Sequence, residues 1–108
     1  MPVYNKLVRD KILEIIEADE LAYNARKLEH NELLYEVKAK MIEEAKEFHT
    51  ANTTHESVEE LADVLELVHT ALSALGVTFE ELEVVRQQKK EKRGGFEKAI
   101  YLVDVEDK

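Results

Sequence analysis

The 108-residue chain predicts an all-α protein with short extended segments at both ends. Three observations lead there. Three Gly and one Pro are the only helix breakers, so turn material is scarce and long helices follow. Apolar residues recur at helical spacing through the centre of the chain. Helix start and stop signals alternate in order, with Thr53 and Glu56, then Thr78 and Glu81, in capping-box spacing and Gly76 and Gly94-Gly95 at the ends.

The elements follow from these signals. The N-terminus, PVYNKLVRDKILEII, begins extended and turns helical near Val8. Ala22 to Leu28 has no firm period and reads as a connector or short strand. A long helix runs from Asn31 to Thr50. A second opens after Thr53 and ends at Leu75, with Gly76 as its stop. A third runs from Thr78 to Arg93. The tail carries a β-like run, Ala99 to Val105, suited to pairing with an extended segment such as the N-terminus. No repeat, linker or low-complexity stretch divides residues 1–108, so a single domain is expected.

Composition narrows the function classes. The net charge is −9 at pH 7, which argues against duplex nucleic acid or an anionic membrane as partner, since both need a cationic face. It leaves room for a phosphate ligand, reached through a bridging metal or a local basic cluster. Cys is absent, so disulfides and Cys-based zinc sites are excluded. No apolar run reaches membrane-spanning length and no signal-peptide core follows Met1, so a cytoplasmic protein is expected.

The two central helices place acids where apolar residues belong. With Glu44 at zero on a helical wheel, Leu33, Val37, Met41, Phe48 and Leu34 fall between about −20° and +80°. Glu47 lies at the edge of that arc, near Lys40. With Glu60 at zero, Leu67, Ala71, Val64 and Ala74 fall within about 40°, and Asp63 at about −60°. A second apolar row, Leu61, Leu65, Val68, Leu72 and Leu75, widens the sticky arc past half the circumference. Glu59, Glu66, His69 and Ser73 take the polar side. Each helix thus carries two acids at i and i+3, Glu44-x-x-Glu47 and Glu60-x-x-Asp63. Packed antiparallel, the helices would gather four carboxylates in one partly dry space, where mutual repulsion and lost hydration call for a cation. All four are oxygen donors, which suits Mg²⁺ first and Mn²⁺ second. Isolated ExxE and ExxD pairs are common on solvated acidic helices; here both are displaced onto an apolar arc.

The remaining candidates carry less. His30, His49, His55 and His69 lack the i, i+4 pairing of a zinc motif and read as surface or capping residues. Tyr4, Phe48, Phe79 and Phe96 read as core. The run Lys89 to Phe96, KKEKRGGF, is either a solvated helix end, favoured by the helix dipole, or a phosphate clamp. With Lys6, Arg9 and Lys11 it holds the concentrated positive charge of an acidic chain.

ExxE, a short loop and ExxD on adjacent helices resembles the metal-binding signature of the all-α NTP pyrophosphatases, which include MazG proteins, dimeric dUTPases and phosphoribosyl-ATP pyrophosphohydrolases. YNKLVRDKI, ELADVLELV and EKRGGFEKAI, in that order, resemble one branch of MazG-like or phosphoribosyl-ATP pyrophosphohydrolase-like proteins, over nearly the whole chain. The branch often reads Pro where this chain has Leu13, and residues 18–30 match poorly. The resemblance implies an α-helical bundle, a homodimer or larger assembly, and Mg²⁺-dependent cleavage of a nucleoside triphosphate between its α and β phosphates. It implies that Glu44, Glu47, Glu60 and Asp63 are metal ligands and catalytic acids, and gives Lys6, Arg9, Lys11, Lys92 and Arg93 a phosphate role. One acid, or a water that it polarises, supplies the nucleophile. House-cleaning of non-canonical nucleotides is the expected task. Phosphoribosyl-ATP hydrolysis and a non-enzymatic acidic helical interaction module stand as alternatives. The wide apolar arc of the second long helix independently calls for a homo-oligomer.

Overall fold

Four helices account for the regular structure of residues 2–107, the residues that this computed structural model describes: α1 Ile12–Ala18, α2 His30–Thr50, α3 Thr54–Leu75 and α4 Phe79–Arg93. The fold is all-α, and no strand forms among the described residues. The chain divides into two compact units, Met1–Val77 and Thr78–Lys108.

In the first unit α2 and α3 pack against each other over much of their length. Only Ala51, Asn52 and Thr53 join them, so they form an antiparallel helical hairpin. The start of α2 is fixed by a reciprocal pair: the Glu29 side chain takes the backbone of Glu32, while the Glu29 amide donates to the Glu32 carboxylate at 3.0 Å. Arg26 adds a two-pronged grip on Glu32, at 3.1 and 2.8 Å. The start of α3 is capped by Thr53, whose hydroxyl accepts from the Glu56 amide at 3.1 Å. The Glu56 carboxylate returns to the Asn52 amide at 3.1 Å. The end of α3 turns through Gly76 at φ 73°, a left-handed conformation that costs other residues about 1–2 kcal/mol. There the Val77 amide reaches back to the Leu72 carbonyl at 3.0 Å. Val37 of α2 is fully buried and Leu72 of α3 nearly so.

The second unit carries α4, capped by the Thr78 hydroxyl accepting from the Glu81 amide at 3.1 Å. It ends at Gly94 with Lys90, Lys92 and Arg93 in its last turn. No single helix is long and apolar enough to cross a membrane.

Three expectations need correction. Helix α1 starts at Ile12, four residues later than Val8, because Asp10 and Lys11 form a turn. Leu13 lies in its first turn, a place that tolerates Pro. The β-like tail forms no strand, and Ile100, Tyr101, Leu102, Val103 and Val105 are all well exposed. Tyr4 and Phe96 are exposed too, while Phe48 and Phe79 are only partly covered. Aromatic character alone did not place these residues in a core.

Candidate acidic site

The hairpin brings Glu44 of α2 opposite Glu60 and Asp63 of α3. One carboxylate oxygen from each lies within 4.8 Å of the others. All three side chains are partly covered. The spacing suits a single hard cation, since oxygens about 2.1–2.5 Å from a metal lie within about 5 Å of each other. The donor set is all oxygen, as such a cation needs.

Glu60 shows the strain of the arrangement. Its Oε2 is buried and has no hydrogen-bond partner. Its carboxyl pKa is pushed up to about 7, first by a hydrogen bond with Glu44, then by burial and by the charges of Glu44, Asp63 and Glu47. Two ionised carboxylates cannot hydrogen-bond to each other, since neither has a proton to donate. A proton or a cation between Glu44 and Glu60 would relieve this crowding.

Glu47 lies outside this group and is exposed. The reason is axial. In an antiparallel hairpin, three residues onward from Glu44 leads toward the connecting loop, whereas three residues onward from Glu60 leads away from it. At 1.5 Å per residue, Glu47 and Asp63 diverge by roughly 9 Å along the helices. Equal wheel angles do not bring them to the same level. The charge of Glu47 still reaches Glu60.

The basic residues fall into two groups. Arg9 donates from Nη2 to Asp63 Oδ1 at 2.6 Å, and also feels the charges of Glu66 and Glu44. Lys6 Nζ lies 3.2 Å from Glu43 Oε1. Lys11 sits at the start of α1, exposed. Lys92 and Arg93 belong to the second unit. There, with Val85, Gln88 and Lys89, they line a shallow groove along α4.

Two participants escaped the sequence reading. Lys40 of α2 stands 3.2 Å from Glu43 and 3.7 Å from Glu44, putting a cation beside the cluster. Glu43 gathers Lys40 and Lys6, which hold its carboxyl below the usual carboxylate range. The i+3 and i+4 spacing of Lys40 to Glu43 and Glu44 was the available signal.

A family model, phosphoribosyl-ATP pyrophosphohydrolase, matches residues 8–90. No curated protein and no solved structure matches the chain.

Proposed function

The chain belongs to the phosphoribosyl-ATP pyrophosphohydrolase family, within the MazG-like all-α NTP pyrophosphatases, and on that premise we propose that it cleaves a nucleoside triphosphate between the α and β phosphates, with Mg²⁺ as cofactor. The observation that carries this reading is the cluster of Glu44, Glu60 and Asp63 around an orphaned, buried Glu60 oxygen. Pyrophosphohydrolase chemistry is what the family is named for. Reading residues 1–108 as one functional domain is supported by a match that spans parts of both units.

In this proposal Glu44, Glu60 and Asp63 hold the ion, and Glu47 joins them from one turn nearer the loop. Bound Mg²⁺ supplies neutralisation of the charge that develops on the phosphate oxygens. A carboxylate of the same set accepts the proton of the attacking water, within the geometry that general-base catalysis needs. Lys6, Arg9, Lys11, Lys92 and Arg93 hold phosphates. For Arg93, exposed at the end of α4, Arg93→Ala should raise KM for the nucleotide and leave the melting temperature unchanged. Unaltered kinetics would return the α4 basic run to an ordinary solvated helix end.

A second substrate reading, phosphoribosyl-ATP, is favoured by the description of the matching family. Both substrates offer the same bond, so the acidic site does not separate them. Pyrophosphate release should be measured side by side on the four canonical NTPs, modified NTPs and phosphoribosyl-ATP, with Mg²⁺ and with Mn²⁺. Release of orthophosphate and a nucleoside diphosphate would refute the bond assignment. Failure with every substrate would return the chain to the reading of an acidic interaction module.

We also propose a homodimer or larger homo-oligomer, acting on a small nucleotide rather than on duplex nucleic acid or a membrane. Support comes from Leu61, Leu65 and Leu75 of α3, each about half exposed on one molecule. Light scattering that gave 12.5 kDa at micromolar concentration would refute the oligomer.

A further inference from the structure

The segment before α1 is held to the α2–α3 hairpin by charge. Lys6 reaches Glu43 at 3.2 Å and Arg9 reaches Asp63 at 2.6 Å, pairs separated by 37 and 54 residues along the chain. Asn5, at φ 44°, bends the backbone just ahead of Lys6. Apolar anchoring is slight: Val3 and Tyr4 are exposed, and Leu7 and Val8 are only partly covered. Both ion pairs are solvent-exposed, and exposed pairs are weak and easily exchanged.

Arg9 holds one of the three carboxylates that converge in the acidic cluster. We propose that Arg9 is a built-in counter-cation, a latch that occupies Asp63 until a divalent cation enters the cluster, and whose released guanidinium then turns to the phosphates of the substrate. The inference rests on the proposed function, since it needs both the cation and the phosphate ligand.

Three arguments support the exchange. Glu44, Glu60 and Asp63 bring three carboxylates together, and Arg9 with Lys40 beside Glu44 supplies two positive charges. A dication added there repels a guanidinium held directly on one of its ligands, so the two compete. The guanidinium fork binds phosphate as well as it binds carboxylate, so Arg9 has a second partner of matching geometry. The Lys6–Glu43 pair uses a carboxylate of α2 outside the three of the cluster, and keeps the released arm within reach. The competing arrangement is a clamp, in which Arg9 stays on one Asp63 oxygen and orients the other toward the metal. Latch and clamp predict opposite signs.

The experiment is a Mn²⁺ titration, followed by electron paramagnetic resonance, of the full chain and three variants: Arg9→Gln, Lys38→Gln and Glu60→Gln. Lys38 is an exposed cation of α2, so its loss reports the generic effect of removing one positive charge. Arg9→Gln should bind Mn²⁺ about two- to fivefold more tightly than Lys38→Gln, the range expected for an exposed ion pair. Mg²⁺ should shift the Arg9 Nε–Hε resonance of the wild type. Pyrophosphate, as a phosphate probe, should bind Mg²⁺-loaded Arg9→Gln more weakly than wild type. Unchanged or weaker Mn²⁺ binding in Arg9→Gln overturns the latch and leaves the cation site standing. Unchanged pyrophosphate binding overturns the transfer to phosphate. A wild type that binds no Mn²⁺, or no better than Glu60→Gln, overturns the cation site itself and the latch with it.

Discussion

The two sides of α3 carry similar apolar residues and meet different surroundings. Toward α2, Val64, Leu67 and Ala71 are partly covered, and Glu60 and Asp63 sit among them. In the second row, Leu61 and Leu65 form an outer edge about half exposed, although Leu72 of that row is almost wholly buried. What differs is the partner. Where α2 lies against α3, apolar surface leaves water and carboxylates lose hydration together, so the packing that stabilises the hairpin also charges the site. Leu61 and Leu65, half open to solvent, show no such double effect.

The largest expected effect comes from the buried member of that same second row. Leu72→Ala should cost about 2–5 kcal/mol, because Leu72 is almost wholly buried and leaves a cavity. Leu61→Ala should cost well under half of that in the isolated chain. If a second copy covers the outer edge, the Leu61 variant instead becomes more sensitive to protein concentration. Chemical denaturation at two protein concentrations reads both.

Next in size is the cation. At 100-fold excess over Kd, Mg²⁺ should stabilise the wild type by about 2.7 kcal/mol, seen as a rise in melting temperature over EDTA. Asp63→Asn should lose most of this rise and most of its hydrolysis. Without metal it should melt close to or above the wild type, since relief of carboxylate crowding opposes loss of the exposed Arg9 pair. Glu59→Gln, on the polar side of α3, should keep the Mg²⁺ response. An equal Mg²⁺ shift in wild type and Asp63→Asn would remove Asp63 from the site.

The smallest effect is in pH. Glu60 has a folded-state pKa raised from about 4.5 to about 7, so the native protein binds more protons than the unfolded chain between those values. Stability of the metal-free protein should therefore fall as pH rises through that window, with no penalty from this group below it and the full penalty above. Glu60→Gln should flatten that part of the melting curve against pH. Glu32 gives the opposite case: its pKa is lowered to about 2, first by Arg26, so its contribution is present above the ordinary carboxylate range and is lost as pH falls toward 2.

Much of this architecture was legible in local sequence. Thr53, Gly76 and Thr78 mark helix ends because capping is a local transaction, between a hydroxyl and an amide three residues on or through one left-handed residue. The acids were legible as misplaced on their arcs because wheel angles need no knowledge of the partner helix. What stayed hidden needed a partner. The wheel gives no axial level, so it does not say how near Glu47 comes to the carboxylates of Glu44, Glu60 and Asp63. The Arg9–Asp63 bond spans 54 residues and no local period encodes it. The tail has strand-forming residues, yet a strand exists only beside another, and none forms among the described residues.

That unpaired tail has a consequence for the protein as a colloid. Ile100 to Val103 is a short run of β-favouring, apolar side chains open to solvent, the composition that seeds edge-to-edge stacking between chains. Asp104, Glu106 and Asp107 flank it as gatekeepers. Their protection is electrostatic, and the chain as a whole loses its net charge near pH 4.9. Solutions taken toward that pH should cloud before the helices melt, and clouding should begin at the carboxyl end of the chain, far in sequence from the acids of α2 and α3.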